Sequence, residues 1–206
     1  MKRFANGFTL IELMVAVAVI VVLLLLGLPS FEGTRQRSAL RGASEHLVSF
    51  WNQARLESAK RNQMVKVGLV QGGSGATFCL GAATTTDPAD ATPCDCTTAT
   101  PATQSTTCDV ARFPDSNGEW QGSKLAGVTI GTSNWPTVAT LKSVVIEPKR
   151  TALTDPANTG TITLAGPPGR RSYLLRMNVD SMGRALLCEP TSATDKLSDY
   201  GGRRCP

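Results

Sequence analysis

Residues 8–28 form one apolar run of Phe, Val, Leu, Ile and Ala in which Glu12 is the only charge. As a helix rising ~1.5 Å per residue, this run is ~30 Å long, the hydrocarbon thickness of a bilayer. Lys2 and Arg3 precede it, and the positive-inside tendency places that end in the cytoplasm. The rest of the chain is then expected on the far side of the membrane. A secretory signal peptide would have a shorter apolar region closed by a small-residue cleavage site; here the run is too long, and no Ala-x-Ala-like site follows before Pro29. Glu12 also argues against a plain anchor. A carboxylate inside such a span costs ~3 kcal/mol on insertion scales and usually serves a function.

The segment Gly7-Phe8-Thr9-Leu10-Ile11-Glu12-Leu13 resembles the prepilin motif of type IV pilins and type II secretion pseudopilins. The resemblance implies that a prepilin peptidase cuts after Gly7 and N-methylates Phe8. Glu12 becomes the fifth mature residue, and Pro29 falls where pilins often carry a helix-bending proline. The family role of Glu12 has a physical rationale. Cleavage gives Phe8 an amino-terminal cation, and in a filament the Glu12 carboxylate of a neighbour can compensate it, so two costly buried charges offset one another. Residues 53–59, Gln-Ala-Arg-Leu-Glu-Ser-Ala, and the late pattern Asp180-Ser181-Met182-Gly183-Arg184 leading to Leu187-Cys188 are similar to the GspH/FimT group. That similarity implies a two-sheet globular domain.

Beyond Pro29, which lacks an N–H and should kink or interrupt the helix, Leu40, Ala43, Leu47, Trp51, Ala54 and Ser58 recur at steps of three and four. Arg35, Arg41, Glu45, Asn52, Arg55 and Lys60 fill the other surface, so an amphipathic helix should lay a stripe against a sheet. Phe50 and Trp51 read as core, and His46 as a surface or partly packed residue. Strands are expected at residues 64–70, 77–80, 127–130, 142–146, 161–164, 173–179 and 185–188. Turn signals sit at residues 72–75, Asn117-Gly118, Pro167-Pro168-Gly169 and Met182-Gly183.

The expected fold class is α+β, a pilin-like long helix packed on an antiparallel β-sheet domain. Its parts are a cleaved leader at 1–7, a transmembrane and filament-core helix at 8–28, an amphipathic continuation at 29–62, and a periplasmic β-rich domain at 63–206. Residues 83–109 are a Thr/Ala/Pro/Asp-rich insert whose composition cannot supply a core.

Cysteines 79, 94, 96, 108, 188 and 205, an even set beyond a membrane-crossing segment, read as disulfides in an oxidising compartment. Cys94-Asp95-Cys96 lacks the spacing of a zinc knuckle. Six cysteines allow fifteen pairings and the sequence does not choose among them. One specific hypothesis joins Cys188 to Cys205, holding the tail against the last strand, with Cys79, Cys94, Cys96 and Cys108 pairing among themselves.

Charge and motifs narrow the function. The formal charge is +5; loss of Lys2 and Arg3 with the leader leaves 19 basic against 16 acidic residues, a mild excess that a solvated surface accommodates. Residues 72–75, Gly-Gly-Ser-Gly, lack the Lys-Ser/Thr of a phosphate loop, one histidine does not make a triad, and Asp90, Asp95 and Asp109 lack calcium-loop spacing. The chain is therefore expected to be no enzyme and to need no cofactor, metal or small-molecule substrate. Its expected partners are other pilins or pseudopilins, prepilin peptidase and the inner membrane. The GspH/FimT resemblance adds DNA, through Arg184, Arg203 and Arg204, although the tail Gly-Gly-Arg-Arg-Cys-Pro departs from a Gly-Arg-x-Arg arrangement. The functional reading is a minor pilin of a type IV pilus, supporting assembly, adhesion, twitching motility or DNA uptake, with a type II secretion pseudopilin as the alternative and a DNA-binding minor pilin for natural transformation as the second.

Overall fold

A computed structural model describes residues 9–71, 78–90, 92–96, 108–114, 125, 127–135, 143–197, 200 and 205, with the side chains of 25–30 and 132 excluded. Helix α1 (Leu10–Arg61) is followed by β1 (Met64–Gln71), β2 (Phe78–Thr85), β3 (Ala111–Phe113), β4 (Thr129–Asn134), β5 (Ser143–Ile146), β6 (Gly160–Ala165), β7 (Leu174–Val179) and β8 (Ala185–Cys188). The strands make two antiparallel four-stranded sheets, ordered β3-β2-β1-β5 and β4-β6-β7-β8. The fold is thus α+β and pilin-like.

At 52 residues, α1 is ~78 Å long. It passes Pro29 without losing helical assignment, so the expected non-helical interruption is absent. A proline removes one intrahelical bond, and intact turns on either side can carry the helix past it. The helix stops at Asn62, whose left-handed backbone (φ 49°, ψ 39°) turns its N–H to Ala59 O while Gln63 N–H reaches Ser58 O at 3.2 Å. This double bond to the last open carbonyls is a Schellman ending, for which Asn is the usual substitute for glycine.

Among the described side chains of α1, those of the second half are the packed ones. The stripe Leu40, Ala43, Leu47, Trp51, Ala54 and Ser58 is buried, and Phe50 joins it. Trp51 is the pivot: its indole N–H donates to Gly183 O at 2.9 Å in the β7–β8 turn, and its ring meets Trp135 edge-on at 5.5 Å. Trp135 in turn donates to Val67 O of β1 at 3.3 Å. One pair of indoles therefore joins the helix to both sheets, with each polar N–H satisfied as burial requires. Alternation sets the sheet faces: Val65 and Val67 of β1, and Leu175, Met177 and Val179 of β7, point into the same core.

The insert departs from expectation. β2 runs to Thr85, so residues 83–85 are strand and not loop. Its inner face, Phe78, Leu80 and Ala82, joins the main core, while its outer face, Cys79, Gly81 and Ala83, is covered by Cys94, Cys96 and Cys108. The disulfides are Cys79–Cys96 and Cys94–Cys108. A segment without large apolar residues thus builds a second small core from cystine sulfur. β3, absent from the sequence-based expectation, closes this edge by pairing Leu80 with Phe113. Polar ties complete the attachment: Lys66 Nζ meets Asp90 Oδ2 at 2.8 Å, Ser143 Oγ donates to Asp90 O at 2.6 Å, and Thr154 Oγ1 donates to Pro88 O at 3.0 Å.

Two predictions follow from this packing. A Cβ on Gly81 would meet the sulfurs of Cys94, at 2.5 Å, and Cys108. Gly81→Ala should therefore leave the Cys94–Cys108 bond unformed, exposing two titratable thiols and lowering stability by about 3 kcal/mol, the worth of closing a loop of this size. A fully oxidised Gly81→Ala chain of unchanged stability contradicts this. Asp90 supplies a pH signature. Burial pushes its carboxyl up, but hydrogen bonds from Lys66, Thr92 and Thr85 outweigh burial and hold it far below the usual carboxylate range. A depressed folded value stabilises the fold above the ordinary carboxylate pKa of ~3.9, and that contribution is lost as pH falls below it. Asp90→Asn should lower Tm at neutral pH, with the difference from the parent shrinking below about pH 4; a difference constant with pH would refute the ion pair's role.

Candidate functional site

The free end of α1 is built by Thr9. Its backbone is extended (φ −79°, ψ 151°), and its Oγ1 accepts the Glu12 N–H at 3.3 Å. This is the Thr-x-x-Glu pattern of a helix start, which satisfies one orphan N–H and puts a carboxylate in the positive first turn. The capping role of Thr9 was readable from that spacing but is missing from the sequence-based expectations. Glu12 is exposed, and among the described residues no cation lies within ion-pair distance of it. Around it the apolar side chains have no cover: Leu10 is 79% exposed, Ile11 71% and Met14 63%, and exposure continues through Leu24. Gly7 and Phe8 lie outside the described residues.

So large an uncovered apolar surface marks a contact surface. Of the apolar run at 8–28, the side chains described are those of residues 9–24. Among the described residues no helix is long and apolar enough to cross a membrane.

The other predicted positions fall on the globular domain. Cys188 is bonded to Cys205, and Cys205 N–H donates to Glu189 O at 3.2 Å, so Cys205 lies beside the exit of β8. Arg184 is at the opposite end of β8, in the turn from β7, where its Nε meets Asp180 Oδ2 and its N–H meets Asp180 Oδ1, both at 2.9 Å. Burial would raise the Asp180 carboxyl, but these bonds from Arg184 overcome it and keep the group below its usual range. Arg184 is therefore engaged in holding its own turn. Arg203 and Arg204 lie outside the described residues, so the three arginines are not brought together within the described structure.

A cleft of about 280 Å³ opens between α1 and β3, lined by His46, Phe50, Gln53, Asp109 and Arg112. His46 is exposed and stacks edge-on to Phe113 at 5.3 Å. Asp109 is committed elsewhere: it accepts from Arg61 Nη1 at 2.9 Å and from Thr84 N–H at 2.8 Å. The cleft thus reads as the seam where the helix end is tied to the edge strand.

A second convergence escaped the sequence reading. The β6–β7 turn reaches α1 where the stripe begins: Gln36 Nε2 donates to Pro167 O at 3.2 Å, and a Cβ on Gly169 would strike Gln36 and Glu32. Tyr173, buried beneath, takes Arg37 over its ring at 5.7 Å and Arg171 Nη1 on its hydroxyl at 3.3 Å. Only the alternation of β7 was visible beforehand; that Tyr173, just before it, would collect Arg171 from its own turn and Arg37 from a helix 136 positions earlier was not.

With the exposed, capped apolar helix in place, comparison with known proteins is informative. No curated protein and no solved structure matches the chain. Residues 2–28 match the family described as the prokaryotic N-terminal methylation motif, which supports a type IV pilin-type subunit, anchored to a membrane and assembled with others of its kind.

Proposed function

We propose that the chain is a minor pilin of a type IV pilus, of the GspH/FimT kind, made as a prepilin, cut after Gly7 and N-methylated on Phe8. Before assembly it is held in the inner membrane by its N-terminal helix, with the globular domain in the periplasm. The observation that carries this reading is the division of α1: the globular domain buries the second half, while the capped first half presents Glu12 in an uncovered apolar surface. A helix bundle at the centre of a filament covers such a surface, and the amine of a neighbouring Phe8 meets the carboxylate. A type II secretion pseudopilin uses the same helix. The disulfide-bonded insert on the outer face of the first sheet favours the pilus, because elaboration of an exposed loop suits a subunit displayed at or near a filament tip.

Mass spectrometry of the membrane-extracted chain should find residues 1–7 gone and N-methyl-Phe8 at the terminus; an intact leader would count against the assignment. Glu12→Ala should leave the amount in the membrane fraction nearly unchanged. Its recovery in sheared filaments should fall about a hundredfold, since leaving one member of a buried pair alone costs about 3–5 kcal/mol. Unchanged incorporation would remove the charge-pairing role. Parallel deletion of pilus and secretion assembly components shows which filament the chain joins.

A further inference from the structure

We propose that Arg35, Arg37, Arg170 and Arg171 form a basic collar that binds anionic lipid headgroups around the base of α1 while the subunit waits in the membrane. This rests on the membrane-anchored reading above and adds a partner to it.

The height of these residues is set by the helix. If the apolar run ends at residue 28, Gly33 stands ~7 Å beyond it at ~1.5 Å per residue. The polar layer of a bilayer occupies ~5–7 Å on each side of the hydrocarbon. Helical side chains lean toward the helix N-terminus, and Arg37 does so: its Nε donates to Gly33 O at 3.3 Å. Its guanidinium is thereby brought down to the headgroup level, and Arg35, exposed two residues earlier, starts lower still.

The β6–β7 turn is held at the same height from the other side. Gln36 holds Pro167 O, and Gly169 fits against Gln36 and Glu32 only because it lacks a Cβ. Arg170 and Arg171 follow, both exposed. Tyr173 then gathers Arg37 on its ring and Arg171 on its hydroxyl, placing two like charges around one buried side chain. Among the described residues the nearby carboxylates are Glu32, beside Gly169, and Asp195, which accepts the Ser172 N–H at 2.8 Å. Among the described residues no carboxylate lies within ion-pair distance of any of the four guanidinium groups. Two carboxylates against four arginines leave a local positive excess.

Phe31 specifies what that excess faces. It is 74% exposed, on the same helix, one turn before Arg35. An uncovered aromatic ring beside cations at the end of an apolar helix suits the boundary between acyl chains and headgroups. A free phosphate ion or a duplex would use the arginines but give Phe31 no apolar neighbour. Arginine forks match phosphate oxygens in pairs, so the ligand is an anionic phospholipid.

The test uses the full mature chain in lipid nanodiscs, either all phosphatidylcholine or about one third phosphatidylglycerol. Hydrogen exchange of the amides of residues 169–172 is followed by mass spectrometry. In anionic discs at ~50 mM salt, exchange should slow by about fivefold relative to neutral discs, and ~500 mM salt should abolish the difference. Arg35→Gln with Arg170→Gln should remove most of the slowing. Neither side chain makes a described hydrogen bond or ion pair, so unchanged protection in β7 verifies that the fold is intact. Equal exchange in both lipids, or slowing that persists in the double variant, overturns the collar. Slowing in neutral discs produced by added duplex DNA or inorganic phosphate, with none from anionic lipid, overturns it in favour of those ligands. Failure of the chain to stay in either disc rejects the membrane-anchored reading itself and the collar with it.

Discussion

Everything in this structure depends on one helix meeting two different environments. The second half of α1 is satisfied internally: Trp51 and Trp135 carry it to both sheets, and the stripe from Leu40 to Ser58 is closed to solvent. The described side chains of the first half are covered by nothing among the described residues. Apolar area left in water is unfavourable by about 25 cal/mol per Å², so the exposed face from Leu10 to Leu24 is a large free energy held in reserve for lipid or for neighbouring subunits. The domain cannot draw on it for its own stability.

That constraint explains where the domain's other stability comes from. With the first half of α1 committed elsewhere, the core is supplied by the second half and by short strands, and the outer face of β2 has only Cys79, Gly81 and Ala83 to pack. Two disulfides cover that face and hold the insert to it. Cross-links that restrict the unfolded chain suit a domain with a limited core. The third, Cys188–Cys205, fixes Cys205 beside Glu189, at the end of the sheet nearest the β6–β7 turn.

The legible parts of the fold were those written in local periodicity. The stripe on α1 and the alternation of β6, β7 and β8 follow from steps of three, four and two residues. Strand β2 was read too short because Gly81-Ala82-Ala83-Thr84 looks like loop; the cystines that make small residues the right choice arrive from positions 94–108, far along the chain. At three residues, β3 is too short to show a period. Pro29 was read as a kink or a short break, and the break is absent because the turns around it continue the helix. The turn signals at residues 72–75 and 117–118 lie outside the described residues.

The N-terminal motif was legible for a different reason. Residues 2–28, which match the N-terminal methylation motif, are a local pattern, whereas an arginine's role depends on what tertiary structure places beside it. Arg184 shows the difference: beside a glycine it looks available to a polyanion, yet Asp180 holds it at 2.9 Å. Arg37 and Arg171 show the converse, being unremarkable in sequence and adjacent only through Tyr173. A subunit that must first rest in a bilayer and then leave it for a filament needs attachments that can be released. Burial of the apolar helix is available in both settings, so it does not by itself favour either. Surface electrostatic contacts at the headgroup level are weaker, screened by salt and lost on withdrawal. A collar of that kind would hold the domain upright on the membrane while leaving the Glu12 charge as the group that gains most by moving into the filament.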